Sequence, residues 1–114
     1  MELPFENQLI FCSSGNEVLE YLYSPETKAF LILSDVNLPK MDGFELKAKL
    51  LEEDAMNYKS IPFVFWSSAV TRSQIEKAYD VGVNGFFVKE PDFQSVKQSL
   101  IDIVNYWRKS LTPE

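Results

Sequence analysis

Three polar side chains stand just past three short apolar runs. Asp35 follows Leu31-Ile32-Leu33-Ser34, Ser68 follows Ile61 to Trp66 and one further serine, and Lys89 follows Phe86-Phe87-Val88. Together they suit one chemistry. A carboxylate can attack a phosphoryl group and form an acyl phosphate. A hydroxyl can donate to a phosphoryl oxygen, and a lysine ammonium can balance the added charge. Phosphoryl transfer is chiefly positioning and charge neutralisation, so little else is needed beyond a metal ion. The chain has no His, which removes Ser-His and His-Cys catalysis, His zinc sites and any phosphohistidine role.

The elements that must position these residues alternate along the chain. Gln8 to Cys12 reads as a strand, followed by the capping cluster Ser13-Ser14-Gly15-Asn16. Glu17 to Tyr23 places Val18, Leu19 and Leu22 on one helical face, and Ser24-Pro25 ends it. Ala29 to Ser34 is nearly continuous apolar, as in a strand covered on both faces. Pro39 and Gly43 force a tight turn, and Asp42 can cap a helix carrying Phe44, Leu46, Leu50 and Leu51, with Asn57 to Ser60 as its loop. Ile61 to Trp66 is a third strand, and Ser73 to Val81 a short helix with Ile75, Ala78 and Tyr79 as its apolar positions. Gly82 and Gly85 flank a turn into a fourth strand, Phe86 to Val88. Glu90-Pro91-Asp92 opens the last helix, which carries Phe93, Val96, Leu100, Ile101, Val104 and Trp107, and Thr112 to Glu114 is a frayed end. Strands alternating with helices predict an α/β fold, a parallel sheet with right-handed crossovers. The carboxyl ends of such strands share one edge, where ligands collect. Asp35, Ser68 and Lys89 should therefore converge.

At 114 residues the chain is one domain, and 46% hydrophobic with 25% charged residues is ordinary for a globular protein. Eleven basic against 17 acidic residues give a net charge of −6, which argues against nucleic acid as a partner, since that needs a basic face. The nine Phe suggest a core filled by rings, with Phe44, Phe63, Phe65, Phe87 and Phe93 as core aromatics. Trp66 and Trp107 fit either core or interface. Cys12 is the only cysteine, so no intrachain disulfide forms, a reducing compartment fits, and a buried, inert thiol is expected. No apolar stretch reaches the roughly 20 residues of a membrane span. The expectation is a cytoplasmic protein without a membrane partner.

The segment Ser34-Asp35-Val36-Asn37-Leu38-Pro39-Lys40-Met41-Asp42-Gly43 resembles the phosphoacceptor region of two-component response-regulator receiver domains. Ser68 in Ser-Ser-Ala resembles the switch Ser/Thr of that family, Lys89 in Phe-Phe-Val-Lys its lysine after the fifth strand, and Phe86 its aromatic rotamer switch. The resemblance runs from about Gln8 to Leu111. The long loop before Ile61-Pro62 and the pair Tyr106-Trp107 resemble stand-alone receivers that work with histidine kinases, including phytochrome-type kinases. It implies a phosphoryl group accepted on Asp35 from a histidine kinase and read by Ser68 and Lys89. Phe86 would follow, shifting the surface formed by the last two helices and the strand between them. It also implies Mg²⁺ held by Asp35 and the backbone carbonyl of Asn37.

The family pattern begins with a strand that ends in an acidic pair. Here Met1 to Asn7 leads directly into what aligns as the second strand. The expectation is a receiver over residues 1–114 with the first βα unit absent, an N-terminally incomplete flavodoxin-like doubly wound sheet of the order 2-1-3-4-5. The exposed strand edge would invite a rearranged or swapped dimer, a homo-oligomer. Without the acidic pair, Mg²⁺ binding should be weak. Glu90 stands where the family usually has Pro after the lysine, and a cis bond there would cost about 2.5–4 kcal/mol, so a differently shaped loop is expected. Other readings stay open: Asp35 as a turn cap, Ser68 as a helix cap, Lys89 as a surface charge, and the whole chain as a phosphorylation-independent interaction module. An independent flavodoxin-like enzyme has little support, because the chain has no glycine-rich phosphate loop.

Overall fold

Short apolar runs separated by amphipathic stretches leave little choice but parallel strands joined by helices, and a computed structural model has that arrangement. It describes residues 14–24, 29–37, 41–52, 61–68 and 70–111. In chain order the elements are α1 (Gly15–Tyr23), β1 (Ile32–Ser34), α2 (Gly43–Glu52), β2 (Phe63–Ser67), α3 (Arg72–Asp80), β3 (Gly85–Val88) and α4 (Phe93–Lys109). The strands form a parallel sheet in the order β1-β2-β3. The expected strand from Gln8 to Cys12, Cys12 itself, the loop Asn57 to Ser60 and the tail Thr112 to Glu114 lie outside the described residues.

Each helix starts at a side-chain cap. Ser14 Oγ accepts from the Glu17 amide at 3.2 Å, and Asp42 Oδ1 from the Glu45 amide at 2.8 Å. Thr71 and Gln74 form a reciprocal capping box, both hydrogen bonds at 3.1 Å, which moves the start of α3 to Arg72. Asp92 Oδ2 accepts from the Ser95 amide at 2.9 Å, and this bond holds its carboxyl below the usual carboxylate range. Strand β1 is shorter than the apolar run suggests. Its ladder begins at Ile32, whose amide donates to the Pro62 carbonyl at 2.9 Å, while Ala29 to Leu31 are half-buried upstream. Pro62 has no amide to give, so β2 opens at Phe63.

Alternation along β2 sends Phe63 and Phe65 to one face and Val64 and Trp66 to the other. The first pair joins a cluster with Leu19 and Leu22 of α1, Phe44, Leu46 and Leu50 of α2, and Ala78 of α3. Phe65 is central to it, its ring edge-on to Phe44 at 5.1 Å, Phe63 at 5.5 Å and Phe86 at 5.7 Å. Burying such a ring stabilises by about 1.5–3 kcal/mol, with a further increment of about 0.5–1.5 kcal/mol per edge-to-face pair. On α4 the buried residues are Leu100, Ile103 and Val104, outside that cluster, while Ile101 is only half-buried.

Two expected core rings are not in the core. Phe87 is 40% exposed because β3 is the outer strand of the described sheet, and Phe93 is 58% exposed as the first residue of α4, well ahead of its buried stretch. Ile75 and Tyr79 of α3 are also exposed. The register between β2 and β3 is fixed at its start by Asn84. Its amide donates to the Phe63 carbonyl at 2.8 Å, and its side-chain Oδ1 accepts from the Phe63 amide at 2.9 Å.

Candidate functional site

Asp35, Ser68 and Lys89 each stand just beyond the carboxyl end of β1, β2 and β3, so parallel pairing brings them to one edge of the sheet. Lys89 Nζ lies 3.5 Å from Asp35 Oδ2, with both side chains partly exposed. The other oxygen, Oδ1, accepts from the Asn37 amide at 3.1 Å. The Lys89 amide donates to the Ser67 carbonyl at 2.8 Å, which extends the ladder and fixes where its side chain departs. Ser68 is exposed on the same edge, and Asn37 is exposed in the loop after β1. No peptide bond among the described residues is cis, so the chain leaves Lys89 for Glu90 in the trans form.

The loop that carries Asp35 is packed on the core through a glycine. A Cβ built on Gly43 would lie 2.7 Å from the Asp35 carbonyl oxygen and 2.6 Å from Phe65 Cε1. Only hydrogen fits there. The Gly43 amide closes the turn by donating to the Val36 carbonyl at 2.8 Å, and the buried Ser34 hydroxyl donates to the Asp35 carbonyl, also at 2.8 Å. Met41 packs on α1, since a Cβ on Gly15 would come within 2.8 Å of its Sδ. The acid therefore sits on a short loop pinned by a strand, a glycine and a helix terminus.

The donor set for a cation is thin. Among the described residues no group of three His, Cys, Asp or Glu could hold a metal ion. Asp35 and the Asn37 carbonyl would supply two oxygens, and Mg²⁺ would leave the remaining octahedral positions to water. One Asp35 oxygen already faces the Lys89 ammonium. These residues alone do not make a magnesium site.

Phe86 is half-buried, touches Phe65 edge-on and also lines a surface groove of about 430 Å³ along the outer side of β3. Tyr79 of α3, Phe87 of β3, and Tyr106 and Trp107 of α4 line the same groove. The groove thus lies on the surface of the last two helices and the strand between them. Sequence reasoning missed Lys47, which is buried on α2 with its ammonium 5.5 Å from the Phe63 ring centroid, and burial lowers its pKa from the ordinary 10.5. Its spacing from Phe44 and Leu50 on one helical face was the available signal.

The sequence model of the response regulator receiver domain family matches residues 6–101. Response regulator Rcp1 of Synechocystis sp. is 25% identical over 94% of this chain and 75% of that protein. The crystal structure of a phosphorylated cyanobacterial phytochrome response regulator, RcpA, superposes with a TM-score of 0.82 at 29% identity, covering 92% of this chain and 78% of that one. The Mn²⁺-bound form of Rcp1 gives a TM-score of 0.81 at 24% identity, covering 97% and 83%. The flavodoxin-like α/β fold, the order of the three strand ends and a family match across most of the sequence lead to one assignment: the chain belongs to the response regulator receiver domain family.

Proposed function

We propose that this receiver accepts a phosphoryl group on Asp35 from a partner histidine kinase, working as one domain over residues 1–114. The observation that carries this reading is the Lys89 ammonium 3.5 Å from the Asp35 carboxylate across the carboxyl edge of the sheet. In the transfer, an Asp35 carboxylate oxygen forms a bond to phosphorus. The bond from phosphorus to the donor's imidazole nitrogen breaks, and that nitrogen keeps the electron pair. Lys89 and the Ser68 hydroxyl then hold phosphoryl oxygens, while the Asn37 amide orients the carboxylate. Phe86, which touches the core ring Phe65 on one side and the groove on the other, carries the change to the α3–β3–α4 surface. Signalling leaves by protein contacts there. A divalent cation, as in the Mn²⁺-bound relative, would help neutralise charge, with Asp35 and the Asn37 carbonyl as this chain's own contribution.

The test is intact-protein mass after incubation with acetyl phosphate and Mg²⁺, beside Asp35→Asn. Addition of one phosphoryl group in the parent alone is expected. Addition in neither protein, or in both, overturns the assignment of Asp35. A second reading, a phosphorylation-independent interaction module, is favoured by the lack, among the described residues, of any group of three His, Cys, Asp or Glu that could hold a metal ion. It predicts that Asp35→Asn leaves partner binding unchanged.

A further inference from the structure

The Lys89 ammonium has two neighbours that can hold it: Asp35 Oδ2 at 3.5 Å and the face of Trp66, whose ring centroid is 5.9 Å away. The ion pair is a weak anchor, because the two side chains are 41% and 36% exposed and solvent screens them. Trp66 is fixed differently. It belongs to β2, the middle strand, and stands opposite Phe87 in the parallel register. A lysine stem has four rotatable carbons, whereas the indole has two side-chain torsions and departs from a strand paired on both sides.

The indole also carries an unrewarded cost. Its Nε1–H is buried and has no hydrogen-bond partner among the described residues. Leaving a donor unpaired is unfavourable, and a phenyl ring in its place would avoid the loss. What an indole offers over phenyl, apart from that N–H, is the strongest π face for a cation. The geometry points to Trp66 as a positioning residue that holds the Lys89 ammonium beside Asp35. This rests on the reading of Asp35 as phosphoacceptor. The ring keeps the cation at the acid before a phosphoryl group arrives and gives it up to the phosphoryl oxygens afterwards.

Two readouts on the whole chain test it. The first is the Lys89 ε-methylene proton shift by NMR, assigned with Lys89→Arg, in the parent, Trp66→Leu, Trp66→Phe and Asp35→Asn. The ring current of Trp66 should displace these protons in the parent and in Asp35→Asn, and the displacement should vanish in Trp66→Leu. The second is the initial rate of phosphoryl uptake from acetyl phosphate. It should fall about two- to fivefold in Trp66→Leu and be largely restored in Trp66→Phe, whose thermal midpoint should not drop. Identical Lys89 shifts in the parent and Trp66→Leu overturn the proposal. So does a rate unchanged in Trp66→Leu, or a rate that simply follows thermal stability across both variants. If the parent takes up no phosphoryl group yet its Lys89 shifts depend on Trp66, the phosphoacceptor assignment fails and the positioning stands.

Discussion

Helices α2 and α3 contribute to the same core cluster, yet they are attached to it very differently. Helix α2 buries Gly43, Phe44, Leu46, Lys47 and Leu50, whereas α3 buries only Ala78. What keeps α3 in place is mostly local. The Thr71–Gln74 capping box starts it, Arg72 and Glu76 pair along it at 3.2 Å, and the Lys77 ammonium reaches the Phe44 ring at 4.4 Å from its centroid. The acid-bearing loop runs into the deeply anchored helix, while the groove beside Phe86 is bordered by the lightly held one. A receiver that takes up a phosphoryl group at Asp35 and signals through the groove, as proposed, would need both conditions: a reacting group held to a fraction of an ångström and a surface able to repack.

That contrast can be broken from its strong side first. Phe65→Ala should cost about 3–5 kcal/mol in denaturant unfolding, since three rings lose their common partner. Gly43→Ala should cost about 1–3 kcal/mol, because the new methyl meets both the Phe65 ring and the Asp35 carbonyl. It should also suppress phosphoryl uptake, which Gly82→Ala, distant from any close backbone contact, should not. Thr71→Ala should cost about 1 kcal/mol. By amide hydrogen exchange the loss should be confined to α3, with α2 protection unchanged; equal loss in both helices would erase the distinction. Lys77→Ala should remove about 0.5–1 kcal/mol and loosen α3 in the same assay.

Lys47 gives the comparison a pH axis. Burial lowers its pKa, so the unfolded chain binds that proton more tightly than the folded one. Between the lowered value and the ordinary 10.5 the unfolded state carries more protons, and stability rises with pH across that window. Below the window the full penalty of the buried charge applies. Lys47→Met should therefore stabilise the protein at neutral pH and flatten the alkaline rise, measured by urea unfolding at several pH values.

The strand ends were legible because a strand's apolar run and the polar residue after it are local signals. Asp35 and Lys89 meet as the parallel topology requires, and Asp42 caps α2 as its spacing suggests. Depth was harder to see. Phe87 and Phe93 have the composition of core residues, but one lies on the outer strand and the other at a helix start, and only the tertiary arrangement decides that. Lys47 is the reverse case: its charge suggests the surface, yet it lies between apolar neighbours on one helical face and is buried. The Thr71–Gln74 box was written in the sequence and overlooked, since its pattern fits a loop polar cluster equally well. The approach of the Lys89 ammonium to the Trp66 ring had no local signature, because the two residues belong to neighbouring strands and strand ends far apart in sequence.

The clasp of Asn84 on Phe63 has a consequence at the far end of the molecule. It grips β3 against β2 at the amino-terminal edge, whereas Lys89 works at the opposite edge, five residues further along. At about 3.3 Å per residue that is about 16 Å away. Strand side chains alternate, so a slip of one residue between β2 and β3 would turn Lys89 to the other face and bring Glu90 towards the acid. The sign of the charge beside Asp35 is thus set by an amide that never comes near it.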